Sequence, residues 1–128
     1  MYSEQNVRDI LASYSDTEME LSLCKAHYYK REEDMSEEHR QHILYLERKI
    51  MMINGMLLVL SVNEEFVVRR HIIDQLDWPQ ILNEYIDLWG KESEKTIRSL
   101  QICQTKALKK IADALNRQST FSKIDIIL

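Results

Sequence analysis

Five cations, Lys91, Lys95, Arg98, Lys106 and Lys109, fall close together near the end of the sequence, with Ser93, Thr96, Ser99, Gln101 and Ile102 among them. Residue types of this kind suit the recognition of a polyanion. Lysine ammonium groups contact phosphates, which positions a partner without specifying it. Arg98 has the fork geometry for two parallel hydrogen bonds to a guanine edge, and Gln101 pairs in the same way with adenine. Hydroxyls such as Ser93, Thr96 and Ser99 reach phosphate oxygens, and an apolar side chain such as Ile102 suits a thymine methyl or a protein surface. The plainer reading of Ile102 is an ordinary exposed aliphatic.

Charge distribution supports this emphasis. The chain of 128 residues carries a net charge of −4, which by itself argues against a polyanionic partner. Residues 1–90, however, hold 9 Lys+Arg against 17 Asp+Glu, while residues 91–128 hold 8 against 4. A basic segment on an acidic body lets one face meet phosphate while the rest repels it.

Other chemistry is weaker. His39 and His42 are close enough on a helix to share a metal, but no acidic or cysteine partner is placed with them, and a solvated helix start is the simpler reading. The acids Glu32, Glu33, Asp34, Glu37 and Glu38 crowd into the most charged turn, without the apolar neighbours that shift a catalytic carboxyl. Phosphate loop, nucleophile elbow and zinc signature are all missing. The expectation is a protein that is not an enzyme, with no cofactor and no metal. Trp78 and Trp89 bracket a short helix and read as core between helices, not as a base-stacking platform.

The elements that must carry these residues are helical. Two glycines and one proline are too few to punctuate a sandwich or barrel, so composition favours an all-α fold. Val7, Ile10, Leu11 and Tyr14 follow Ser3 at helical spacing. Ser15–Glu18 is a start signal for a second helix running to about Glu33 and burying Leu21, Cys24 and Tyr28. Ser36 restarts the chain as a long helix. On it Ile43, Leu46, Ile50, Ile53, Leu57 and Leu60 form a heptad seam, which either packs on the second helix as a hairpin or joins two copies in a homodimer. Ser61 and Glu64 fit a capping box for a helix to about Asp74. Asp77 caps a short helix with Ile81, Leu82, Tyr85 and Leu88 inward, which Gly90 ends. The last helix is expected from Ser93 to about Leu115, with Ile97, Leu100, Cys103, Ala107, Leu108, Ile111, Ala114 and Leu115 inward and the basic set outward. The expected division is 1–60 for the N-terminal helical hairpin, 61–116 for a three-helix unit and 117–128 for an apolar tail.

Cys24 and Cys103 belong to no CxxC pair and read as small apolar residues in a reducing compartment. The longest apolar stretch, Ile50 to Leu60, is about half of the roughly 20 residues a membrane span needs. No secretion signal is legible, so a cytoplasmic protein without a membrane partner is expected.

A capped helix, a short proline-led helix, a turn and a long helix with a basic face make up the pattern of a helix-turn-helix. The segment from Leu60 through Glu64, Glu65 and Arg69 to His71 resembles the opening helix of sigma-factor region four. Asp77-Trp78-Pro79-Gln80-Ile81 looks like the start of its second helix. Lys95-Thr96-Ile97-Arg98 and Lys106-Ala107-Leu108-Lys109-Lys110-Ile111 are similar to its recognition helix. The whole chain resembles small phage or prophage transcriptional regulators of the ArpU and RinA type. That resemblance covers roughly residues 60–115, and implies a regulator that binds double-stranded DNA and acts with RNA polymerase. It places Lys91, Ser93, Lys95, Thr96, Arg98, Ser99 and Gln101 where the helix meets DNA. The stretch from Trp89 to Ser93 is longer than the usual turn. Two other readings stand beside it: a helical adaptor that binds proteins and no DNA, and a small terminase-like phage DNA-packaging subunit that assembles into a ring.

Overall fold

A computed structural model describes residues 1–118; the apolar tail expected to dock, with Phe121, Ile124, Ile126, Ile127 and Leu128, lies outside them. Among the described residues the chain is all-α, with no strand. Six helices follow one another: α1 (Glu4–Ala12), α2 (Tyr14–His27), α3 (Glu37–Leu57), α4 (Val62–Val68), α5 (Trp78–Trp89) and α6 (Ile97–Arg117). Short 3₁₀ turns at Glu32–Asp34 and Lys91–Ser93 precede α3 and α6, and a π-helical turn at Arg69–Ile73 extends α4.

The caps come from local chemistry. Ser3, Ser36, Ser61 and Asp77 each accept a backbone N–H from the first turn of their helix, as the sequence leads one to expect. The joint between α1 and α2 is tighter than expected. The Ser13 hydroxyl donates to the Ile10 carbonyl at 2.6 Å, so α2 starts at Tyr14, ahead of the Ser15–Glu18 signal. It also ends early, at His27. Lys30 then adopts a left-handed conformation, φ 59°, which no helix to Glu33 could contain.

Leu21, Cys24 and Tyr28 are only partly buried, contrary to expectation, and Thr17 is the buried residue of α2. The reason is that α2 leans mainly on α3 and lacks a second layer, leaving Met19 and Leu23 exposed. The α2–α3 hairpin is bridged at its surface by Lys25–Glu47 at 3.7 Å and Glu20–His42 at 2.8 Å. Pairs so exposed contribute little to stability. The seam on α3 faces the chain itself. Ile43, Leu46, Ile53 and Leu57 are buried within one chain and Ile50 and Leu60 partly so.

Two apolar clusters organise the molecule. The larger joins Val7 and Leu11 of α1, Ile53 and Leu57 of α3, Ile72 and Ile73 of the π turn, and Leu108 and Ile111 of α6. The smaller joins Val67, Ile81, Tyr85 and Leu100, flanked by Phe66, Trp78, Leu82 and Trp89. α6 runs through both, so its register is fixed twice. At about 1.5–3 kcal/mol for each large side chain fully buried, Leu100 and Ile111 alone oppose any rotation of α6 about its axis. Asn116 adds a clamp: its side chain accepts from the Tyr2 N–H at 2.7 Å and donates to the Tyr2 carbonyl at 2.9 Å.

The π turn is where the expected helix from Ser61 to Asp74 departs from α geometry. Asp74 donates its N–H five residues back to the Arg69 carbonyl at 2.8 Å. Both Ile72 and Ile73 are buried there. Leu88, expected inward, is 64% exposed. It sits in the last turn of α5, where the larger Trp89 packs instead against Phe66 and Tyr85, with ring centroids 5.2 and 4.5 Å away.

Candidate nucleic-acid interface

The site is built from the N-terminal half of α6 and the connection leading into it. Gly90 ends α5 at φ 85° and ψ 161°, a region open essentially to glycine alone. The chain then makes the 3₁₀ turn, in which the Ser93 hydroxyl donates to the Gly90 carbonyl at 2.9 Å. Glu94 adopts a left-handed conformation at φ 51°, so the turn at Ser93 cannot run on as α-helix. The helix therefore starts three residues later than the expected Ser93. Thr96 is its cap: the Thr96 hydroxyl accepts the Ser99 N–H at 3.1 Å. The Ser99 hydroxyl accepts the Thr96 N–H and donates to the Thr96 carbonyl, both at 2.8 Å.

These bonds sort the ten residues singled out by the sequence. Ser93, Thr96 and Ser99 have their hydroxyls committed to the turn and the cap, so they shape the surface. Lys91 and Lys95 are exposed on the connection ahead of α6, not on the helix itself. Arg98, Gln101, Ile102, Lys106 and Lys109 lie on α6, and at about 100° per residue they share one outward face with Thr105. Arg98, Gln101, Ile102, Thr105 and Lys106 line a shallow depression of about 320 Å³. Ile102 is 44% exposed at its centre.

Electrostatically this face is uncompensated. Among the described residues, Lys91, Lys95, Arg98, Lys106 and Lys109 form no ion pair with a carboxylate. Lys110, one position around the helix, is committed: it reaches Glu64 of α4 at 2.9 Å. Burial alone would raise the Glu64 carboxyl. Hydrogen bonds from the Ser61 amide and from Lys110 outweigh it and hold that carboxyl below its ordinary value. The amides of Ile97 and Arg98 stand at the positive end of the α6 dipole and add to the field.

The inner face of α6 contains a residue that the sequence reading missed. Gln104 is buried and its Oε1 lies 2.8 Å from His71 Nδ1. His71 stacks on Trp78 with ring centroids 4.0 Å apart. This row ties α6 to the π turn and to α5. The signal was there: Gln104 sits four residues after Leu100 and three before Ala107, in the middle of the apolar stripe. Trp78 and Trp89 are partly buried and packed against the smaller cluster, in line with the reading of both as core between helices. Cys24 and Cys103 are free thiols, partly buried, where small buried residues were expected. Burial, then the charge of Glu64, pushes the Cys103 thiol up, which disfavours its thiolate.

His39 has two hydroxyls beside it. Its Nδ1 lies 2.7 Å from the Ser36 hydroxyl and 2.9 Å from the Tyr28 hydroxyl. Among the described residues no group of three or more metal-ligating side chains occurs, and no helix is long and apolar enough to cross a membrane. The connection between α5 and α6, residues 90–96, is longer than the three- or four-residue turn of a typical helix-turn-helix. No protein-family model matches the chain, and neither a curated protein nor a solved structure matches it.

Proposed function

We propose that this protein binds double-stranded DNA with the outward face of α6 and acts as a sequence-specific transcriptional regulator of the sigma-like or phage late-gene activator type. The observation that carries the reading is the set of five cations on α6 and the connection before it, Lys91, Lys95, Arg98, Lys106 and Lys109, unpaired among the described residues, with Arg98 and Lys106 lining one shallow depression. Lys91, Lys95, Lys106 and Lys109 contact phosphate, while Arg98 and Gln101 read base edges in the major groove. The acidic remainder of the chain orients the approach. RNA polymerase is the further partner in this reading.

The test is binding of the full chain to a mixed pool of duplex DNA at two salt concentrations. Four phosphate contacts give a slope of log affinity against log salt of about −3.6, or about a 150-fold loss between 50 and 200 mM. The double variant Lys95→Ala, Arg98→Ala brings the slope to about −2.7. A shallow slope, or binding unchanged in the variant, removes α6 from the interface. Absence of binding at low salt favours the second reading, a protein–protein adaptor, which draws on the exposed Met19 and Leu23 of the hairpin. A ring-sized mass in solution favours the packaging-subunit reading.

A further inference from the structure

A second concave surface lies at the opposite end of α6 from the cationic face. The C-terminal turns of α3 and α6 enclose a groove of about 250 Å³, walled by Met51, Val59, Ala114, Leu115 and Gln118. Its lining is apolar apart from Gln118, and Met51 is 71% exposed beside it. Gly55 forms part of the floor. Glycine weakens a helix interior relative to alanine, yet a Cβ built on Gly55 meets nothing within 4 Å, and its φ is not positive. Neither packing nor backbone conformation within residues 1–118 therefore calls for glycine there. A shallow floor is useful to something that lies across it.

The same chain supplies an occupant. Gln118, on the wall of the groove, is the last described residue, and the segment that follows it carries Phe121, Ile124, Ile126, Ile127 and Leu128. Phe121 is three residues on, about 10 Å of extended chain, so it reaches the groove without moving α6. Methionine walls suit such a guest because an unbranched thioether adapts its shape to what enters. We infer that the groove between the C-terminal turns of α3 and α6 receives Phe121 and its apolar neighbours from the segment 119–128 of the same chain. This docking ties that segment across α3 and stands apart from DNA binding, since Arg98 and Lys106 lie in the other half of α6.

Photocross-linking of the full chain tests it. Phe121 is replaced by the photoreactive analogue p-benzoylphenylalanine, and the protein is irradiated as an equal mixture of isotopically light and heavy chains. Mass spectrometry is expected to find cross-links to Met51, Met56 or Leu115, light to light and heavy to heavy only. Adding Gly55→Trp, whose side chain enters open space and occupies the floor, is expected to cut the yield at least tenfold. Mixed light–heavy cross-links overturn the inference in favour of a second copy as the occupant. Cross-links elsewhere, their absence, or a yield unchanged by Gly55→Trp in a chain that melts cooperatively also overturn it.

Discussion

Thr96→Ala is the substitution that examines the start of α6 most sharply, because that cap separates Lys91 and Lys95 on the connection from Arg98 and Gln101 on the helix. The change removes the acceptor of the Ser99 N–H at 3.1 Å, while the bond from the backbone N–H of residue 96 to the Ser99 hydroxyl at 2.8 Å keeps both its partners. The box is exposed, so its loss costs about 1 kcal/mol, within the 0.5–2 kcal/mol seen when such caps are truncated. For a chain of this size that is roughly a 3–5 °C fall in melting temperature. Thr96→Ser keeps the hydroxyl and restores most of the loss. Ser93→Ala removes one hydrogen bond, to the Gly90 carbonyl, and costs about 0.5 kcal/mol. Urea unfolding of the three variants, followed by helical circular dichroism, gives the comparison. If Ser93→Ala is the costlier change, the helix begins at Ser93 and carries Lys95 and Thr96 on it. The reasoning then fails.

Other outcomes follow from the same packing. Leu100→Ala, in the smaller cluster, should cost about 2–5 kcal/mol, whereas Ile102→Ala stays within about 0.5 kcal/mol; denaturant midpoints that reverse this order contradict the orientation of α6. Gly90→Ala forces a Cβ into a glycine-only conformation and to 2.8 Å from the Glu92 carboxylate, so a loss of about 1–3 kcal/mol is expected from its unfolding curve. The Glu64 carboxyl is held below its ordinary value of 4.5, so its contribution is complete above that pH and lost as pH falls through the lower folded value. Glu64→Gln should therefore flatten the acid limb of stability against pH, and an unchanged limb would place the acid-sensitive group elsewhere.

What was legible in the sequence was chemistry with a short reach. Ser36, the Ser61–Glu64 box, Asp77 with Pro79, and Gly90 mark helix ends through bonds spanning three or four residues, and each stands where the sequence puts it. The inward stripe of α6 was equally readable, since Leu100, Ala107, Leu108, Ile111 and Leu115 repeat with the helical period. What failed depended on choices between equals or on distant partners. Ser93 and Thr96 are both good caps, and the left-handed turn at Glu94 that decides between them has no sequence signal of its own. Burial of Leu21 and Cys24 was expected from spacing, but spacing cannot say that α2 leans mainly on α3 and lacks a second layer. Gln104 went unnoticed because a polar residue in an apolar stripe makes sense only once His71 stands opposite it. Of the candidate site, the cations were legible and the supporting roles of Ser93, Thr96 and Ser99 were not.

The central claim, that α6 presents a DNA-binding face, is tested most directly by mapping amide chemical shifts of the full chain as a mixed-sequence duplex is added. The account predicts that perturbed amides concentrate in residues 91–109, around Arg98, Gln101 and Lys106, and that those of α2 stay in place. Perturbation centred on the α2–α3 hairpin, or spectra unchanged at low salt, would contradict it.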